Sequence, residues 1–434
     1  MQRGHVEAGP RRRRVRAIAA VVVLAALGVV SAGTSAGAQA SSPTETITVG
    51  ALLSITGGGS SLGNTSQAAI KVARDQWNKR LTLQHRNVRV AVDVRDTGQD
   101  PTRAVAAFNE LADAGVRIII GPQSSSEVAA IQPLANARGV LLVSQGSTAS
   151  SLAMPNDTVF RFVPNDHVEG RASTDLILHQ GARAVVPLWR DDRGNQGLAA
   201  SVRAAATASS AQVTTGFQYE PNTTDFGPAL SEISRQVTTA AAQVGTPHVA
   251  VYLAGFEEVA DLFAAAGQMP ELASVRWYGA DGSAQATQLL QPASAQFAIR
   301  AKGFPSPLVA LPASRAARDA VLIGQIARRA HATPDAFALA AYDAFNVGVQ
   351  TLLTSGTSVD GPTLRAAYAQ AADGYAGVTG TIQLDPNGDR ASAPYAYWSI
   401  CSRGAHGSRW VRTGTWTPQG SDPTGPGHVS GGSC

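Results

Sequence analysis

The sequence lacks two common catalytic signatures: it has no H-E-x-x-H helix and no P-loop. Its eight histidines are scattered. His167 and Glu169 sit two apart, so on a helix they point to different faces and read as a solvated helix start rather than a metal pair. His248, alone before an apolar run, reads as structural. Beyond residue 40 there is no run of the roughly 18 apolar residues that a membrane span needs. Cysteine is nearly absent. The two present, Cys401 and Cys434, can form one bridge in an exported protein, the alternative being two free thiols. The pattern points away from an enzyme, and no cofactor or metal is expected.

What is present begins with a leader. Arg11, Arg12, Arg13, Arg14 and Arg16 form a basic segment, residues 17–30 an apolar one, and Ala38-Gln39-Ala40 a small-x-small cleavage site. Together they read as a secretory signal peptide cut after Ala40. The arginine run hints at a twin-arginine route, and no cysteine follows the apolar segment to carry a lipid. The expected destination is the periplasm, the cell-wall space or the exterior. Without residues 1–40 the 35 basic residues fall to 29 and the 31 acidic ones to 30, a net charge of −1, so a nucleic-acid partner loses its support. The remaining length of about 390 residues suits two domains of ordinary size.

From Thr46 the pattern alternates strand and helix, which predicts an α/β fold of doubly wound parallel sheets. Strands are expected at 46–53, 88–94, 118–120, 140–143 and 159–163, then in a second alternation at 184–189, 212–219, 248–253 and 275–278. Helical segments follow at 314–330, 334–353 and 363–371. Residues 382–384, 396–401 and 410–412 resemble β-hairpin material around the turn Asp385-Pro386-Asn387-Gly388-Asp389, and from Thr413 onward Gly, Ser and Pro predict an irregular tail.

The stretch Ile118–Leu152 is the chemical centre. Two apolar runs end in Ser124-Ser125-Ser126 and in Ser144, Gly146, Ser147 and Thr148. Runs of this kind, joined by one helix, read as neighbouring buried parallel strands whose carboxyl ends share a crevice. Hydroxyls and N–H groups near a helix start suit a small anion such as a carboxylate. The plainer reading is that Ser124 and Ser126 cap the helix while Ser147 and Thr148 make a polar loop.

Seven segments in order, ITVGALLSITGGGSSLG, DTGQDPTRAV, IIIGPQSSS, VLLVSQGST, FRFVPND, YDAFNV and GVTGTIQLDPNGDR, carry a resemblance. The chain resembles the periplasmic leucine/isoleucine/valine-binding proteins, the type 1 solute receptors of branched-chain amino-acid ABC transporters. The resemblance implies two lobes joined by a three-crossover hinge, with lobe 1 at 46–164 and 305–376, lobe 2 at 165–304 and 377–412, and the tail at 413–434. It implies a monomer that captures an amino-acid-like ligand and delivers it to ABC permease subunits. A sensory receptor of the same fold without transport is the alternative, and a secreted hydrolase a weaker one. Ser125, Gly146, Ser147 and Thr148 fall where the family holds the ligand α-carboxylate, and Asp281 falls where an acid receives its ammonium. Leu62 stands where the family often has an aromatic, and no tyrosine occupies residues 190–197; Phe256 and Trp189 are the aromatics that compensate. The pocket is therefore expected to admit a ligand other than a branched-chain amino acid, such as a polar amino acid, an amide or an aromatic acid. Intact-mass analysis of secreted protein should give a chain beginning at Ser41; a retained leader in the mature pool contradicts this reading.

Overall fold

The computed structural model describes residues 44–434 except 405, 406, 421 and 433. The leader falls outside the described residues. The first alternation forms β1 (Glu45–Leu53), α1 (Ser60–Leu83), β2 (Val88–Asp96), α2 (Pro101–Asp113), β3 (Ile118–Ile120), α3 (Ser125–Arg138), β4 (Leu141–Ser144) and β5 (Val159–Arg161). Its five strands lie in the order β2-β1-β3-β4-β5, all parallel. The continuous apolar runs follow from burial of both faces. Ile118 and Ile120 pack with α1 and with Ala344 and Val347 of a later helix, while Ile119 between them packs with Phe108 of α2 and Val128 of α3. Asp100 caps α2, accepting from Thr102 N and Arg103 N.

The second alternation comprises α4 (Asp166–His179), β6 (Ala184–Arg190), α5 (Arg193–Ala208), β7 (Gln212–Val213), β8 (Phe217–Tyr219), α6 (Gly227–Val244), β9 (Val249–Ala254), α7 (Val259–Ala266), α8 (Pro270–Ala273), β10 (Arg276–Gly279) and α9 (Pro292–Arg300). The parallel order is β10-β9-β6-β7, with β8 also paired to β6. The sequence pattern assigns one strand to 212–219, but the structure has two short ones. Gly216, at φ +69°, breaks the ladder where a Cβ would lie 2.2 Å from Pro187 O. Sequence reading also passes over α9.

After β11 (Ser306–Val309) the chain returns through α10 (Ala316–Ala330), α11 (Ala336–Ser355) and α12 (Gly361–Ala372), and α10 and α11 pack on α1 of the first lobe. A two-stranded ribbon, β12 (Ala376–Gly377) with β13 (Gly380–Thr381), precedes the last passage. The chain then forms β14 (Tyr395–Ser402), β15 (Ser408–Pro418) and β16 (Gly427–Gly431), an antiparallel sheet in the order β11-β14-β15-β16 packed on α4 and α9. The fold is thus two α/β lobes with parallel sheets. Residues 306–309, which the resemblance puts in the first lobe, pair with β14, in the segment it assigns to the second. Pro307 fits there because β11 is an edge strand.

The tail is not irregular. Its Gly, Ser and Pro content hides two strands pinned by one side chain, the fully buried Trp416, which packs on Tyr395 and Tyr397. Asp175 of α4 accepts 2.8 Å hydrogen bonds from Trp416 Nε1 and Gly427 N and pairs with Arg171 at 2.5 Å. Cys401 and Cys434 are joined by a disulfide with a Cα separation of 5.6 Å. Trp416→Ala should lower unfolding stability by about 3–5 kcal/mol, the cost of a large core truncation, in denaturant titration of the mature protein. A change within about 0.5 kcal/mol, the usual size of a surface effect, would mean that the tail is only draped on the fold.

Candidate functional site

The two strand-end loops meet at the carboxyl edge of the first sheet. Gly121 opens the first loop at φ +93°, with only 2.1 Å between a notional Cβ and Leu52 O, so the turn requires glycine. Ser144 Oγ then stitches the loops: it donates to Pro122 O at 2.6 Å and accepts from Ser147 N at 2.9 Å and Gly146 N at 3.3 Å. Those two N–H groups, which the sequence leaves free for an anion, thus have an internal acceptor. Ser125 Oγ shares a 3.0 Å hydrogen bond with Ser147 Oγ and accepts from Ala149 N at 3.2 Å. Ser125, Ser147 and Thr148 are all buried. The capping reading of the serines fails in detail. Ser124 occupies the N-cap of α3 without a side-chain cap bond, and Ser126 Oγ instead accepts from Arg193 N of the second lobe.

The facing wall is acidic. Asp281 lies in the turn after β10 and its N–H donates to Glu169 Oε1 at 3.0 Å. Glu169 and Asp166 occupy the first turn of α4, where a helix N-terminus favours negative charge. Asp166 also touches the first lobe: its N–H donates to Thr148 O at 2.8 Å, Thr148 donates to its carboxyl, and Oδ2 accepts from Ser150 N at 3.2 Å. All three carboxyls are buried, and none takes part in an ion pair among the described residues. Burial, with the neighbouring charge of Asp166, pushes Asp281 up to about 7. Burial likewise lifts Asp166 to about 6, and burial beside Asp281 holds Glu169 well above the usual carboxylate range. Oδ1 of Asp166 and Oε2 of Glu169 have no hydrogen-bond partner.

The apolar neighbours complete the site. Phe256 lies against Gly282, where a Cβ would be 2.9 Å from its ring, and beneath the Arg190 guanidinium at 5.1 Å from the ring centroid. Leu62, at the start of α1, is buried in a cluster with Phe337 of its own lobe and Tyr252 and Tyr278 of the other. Across the lobes, Glu257 accepts from Ser61 N at 2.8 Å and Ser60 Oγ at 3.3 Å. A cleft of about 510 Å³ at the mouth is lined by Ser124, Ser126, Arg190, Asp192 and Glu258 among others. Asp281 and Thr148 both contact carboxyls of the first turn of α4, while Phe256 and Leu62 flank this centre from opposite lobes. Sequence reasoning misses Asp166, Glu169 and the fully buried Tyr252. The available signal is the three-residue spacing of Asp166 and Glu169, which places both on one helix face. No group of three or more His, Cys, Asp or Glu among the described residues could hold a metal ion.

A family model described as periplasmic binding protein matches residues 46–404. The chain belongs to the periplasmic binding protein family. It is 27% identical over 395 residues to an uncharacterized protein of Methanocaldococcus jannaschii, covering 87% of this chain and 91% of that one. The crystal structure of a leucine-binding protein from Thermotoga maritima superposes with a TM-score of 0.69 at 21% identity, over 84% of this chain and 97% of that one. A solute-binding protein of an ABC transporter from Rhodopseudomonas palustris, in complex with 3,4-dihydroxybenzoic acid, gives 0.68 at 16% identity, over 90% and 98%. This periplasmic binding protein thus shares a substrate-binding fold with both.

The acidic wall has a consequence for stability. Glu127, buried in the first turn of α3, is pushed up to about 7 by burial, alongside Asp166 at about 6 and Asp281 at about 7. Each keeps its proton in the folded chain at a pH where the unfolded chain has lost it. Their contribution is therefore full below the unfolded values near 4 and is lost as pH rises through about 6 to 7. The ligand-free protein should melt at a lower temperature at pH 8 than at pH 5 in calorimetry; equal or higher melting at pH 8 would contradict the burial of these carboxyls.

Proposed function

We propose that this periplasmic binding protein captures a small amino-acid-like ligand between its lobes and delivers it, as a monomer outside the cytoplasm, to the permease subunits of an ABC importer. One observation carries the reading. The buried Asp281 carboxyl, without an ion pair among the described residues, lies beside Glu169 and is linked through the first turn of α4, where Asp166 N bonds Thr148 O, to the loops that carry the neutral hydroxyls of Ser125, Ser147 and Thr148. A zwitterion needs hydroxyl and N–H donors for its carboxylate and an anion for its ammonium, and charge-assisted hydrogen bonds of both kinds are among the stronger ones. An aromatic acid without an amine, the ligand in the Rhodopseudomonas palustris complex, would bring a second anion to the acidic wall. Leu62 and Phe256 offer apolar contact for the rest of the ligand.

Isothermal calorimetry on mature protein tests the assignment. Asp281→Ala should weaken binding of an amino-acid ligand by about 30-fold or more, because an ammonium left unpaired in a buried site costs about 2–5 kcal/mol. Thr148→Ala should weaken it by only about 2- to 12-fold, the worth of one neutral hydrogen bond of about 0.5–1.5 kcal/mol. Wild-type affinity in Asp281→Ala would remove the ammonium site and the amino-acid reading with it.

A further inference from the structure

A second cavity lies apart from the crevice residues. It encloses about 580 Å³ between α10 and the sheet of β11, β14 and β15, and none of Ser125, Ser147, Thr148, Asp281, Phe256 or Leu62 lines it. Its size is ordinary for a small-molecule pocket. The two walls are held by different lobes: α10 packs on α1 of the first, whereas the sheet packs on α4 and α9 of the second.

The walls are apolar for reasons visible in the strands and the helix. Ala396 and Trp398 of β14 alternate with the fully buried Tyr395 and Tyr397, and they line the cavity together with Leu308, which pairs with Ala396 from β11. Opposite them stand Ala320 and Ile323 of α10, three apart and so on one helix face. Trp398 and Ile323 are each only half-buried, which leaves apolar surface for an occupant to cover.

The charged groups at the cavity differ in what they already hold. Asp319 pairs with Arg318 at 2.8 Å, and Asp335 accepts from Thr65 Oγ1 and from Ala338 N, so both carboxyls are engaged. Arg412 is not. It lies directly across from Trp398 in β15, exposed and without an ion pair among the described residues.

We propose that this cavity is a second ligand site, for an amphipathic carboxylate such as a medium-chain fatty acid, whose apolar body lies between Trp398 and α10 and whose carboxylate meets Arg412. Water between such walls finds few polar partners, so an apolar body replaces it favourably, and the unpaired guanidinium selects an anionic head. The site is independent of the amino-acid reading above.

Calorimetry of the mature wild-type protein with octanoate, 1-octanol and octylamine, each kept below the concentration at which it aggregates, tests the site. Octanoate should bind about 2- to 5-fold more tightly than octanol, the range that an exposed charge pair gives, and octylamine more weakly than either. Arg412→Gln should erase the preference for octanoate and leave octanol binding unchanged. Ala320→Trp fills the cavity from the helix side and should weaken octanoate and octanol alike by about tenfold or more, because indole and ligand cannot share the space without overpacking. Melting curves report that both variants are folded. Equal affinity for octanoate and octanol, tighter binding of octylamine, or no binding of any probe overturns the site. So does a preference that survives Arg412→Gln, or binding unchanged in folded Ala320→Trp, which would put the probes elsewhere on the protein. None of these outcomes bears on the Asp281 assignment.

Discussion

One buried ion pair, Arg161 with Asp389, fixes the place where the lobes join. Arg161 ends β5, just before the first passage between lobes, and Asp389 lies in the last. The guanidinium engages both carboxylate oxygens, with Nε to Oδ1 at 2.5 Å, and donates to Ala149 O at 2.6 Å. Backbone bonds run alongside, from Arg161 N to Gly388 O and from Arg390 N to Arg161 O. A fork of fixed geometry thus sets the loop that carries Ser147 and Thr148 against the hinge strand. A pair this buried adds little net stability, since desolvation offsets its attraction, yet removing one partner would cost about 3–5 kcal/mol. Its contribution is to position the loop.

From that fixed edge the two walls divide the chemistry. The first-lobe wall is neutral and internally satisfied: Ser144 holds both loops, and Ser125 is bonded to Ser147 and Ala149. The second-lobe wall is acidic, its buried carboxyls holding their protons more tightly than free ones, with two carboxyl oxygens lacking partners. Unpaired buried polar atoms destabilise the empty closed form. The lobes nonetheless meet through Glu257 with Ser60 and Ser61 and through Arg193 with Ser126. These contacts join the lobes at the rim.

Much of this was legible in the sequence. The strand ends at Gly121 and Ser144 could be read because buried parallel strands are continuous apolar runs that stop at Gly, Pro and Ser. Asp281 came through the resemblance carried by the stretch after β10, since a single aspartate before a glycine reads equally well as a turn residue. Glu169 was hidden by its neighbour: tested against His167 two residues away, it looks like a solvated helix start, whereas its partners are Asp166 on its own helix face and Asp281, 112 residues on. The tail misled for a different reason. Its strands are stabilised by Trp416 reaching Asp175, a contact 241 residues apart, so local composition carries no trace of it. The break at Gly216 is equally tertiary, set by the carbonyl of Pro187 on a neighbouring strand.

With carboxyls on one lobe and hydroxyls on the other, the proposed ligand would be part of the closing surface. A ligand shifts an open–closed equilibrium only by its difference in affinity for the two forms. A carboxylate held by the serine loops alone would bind either form nearly equally and shift little. On the proposed assignment, an ammonium that reaches Asp281 only when the lobes meet would supply the difference. On that assignment, recognition of the ammonium and closure of the crevice would be one electrostatic event, localised to the first turn of α4 and the turn after β10.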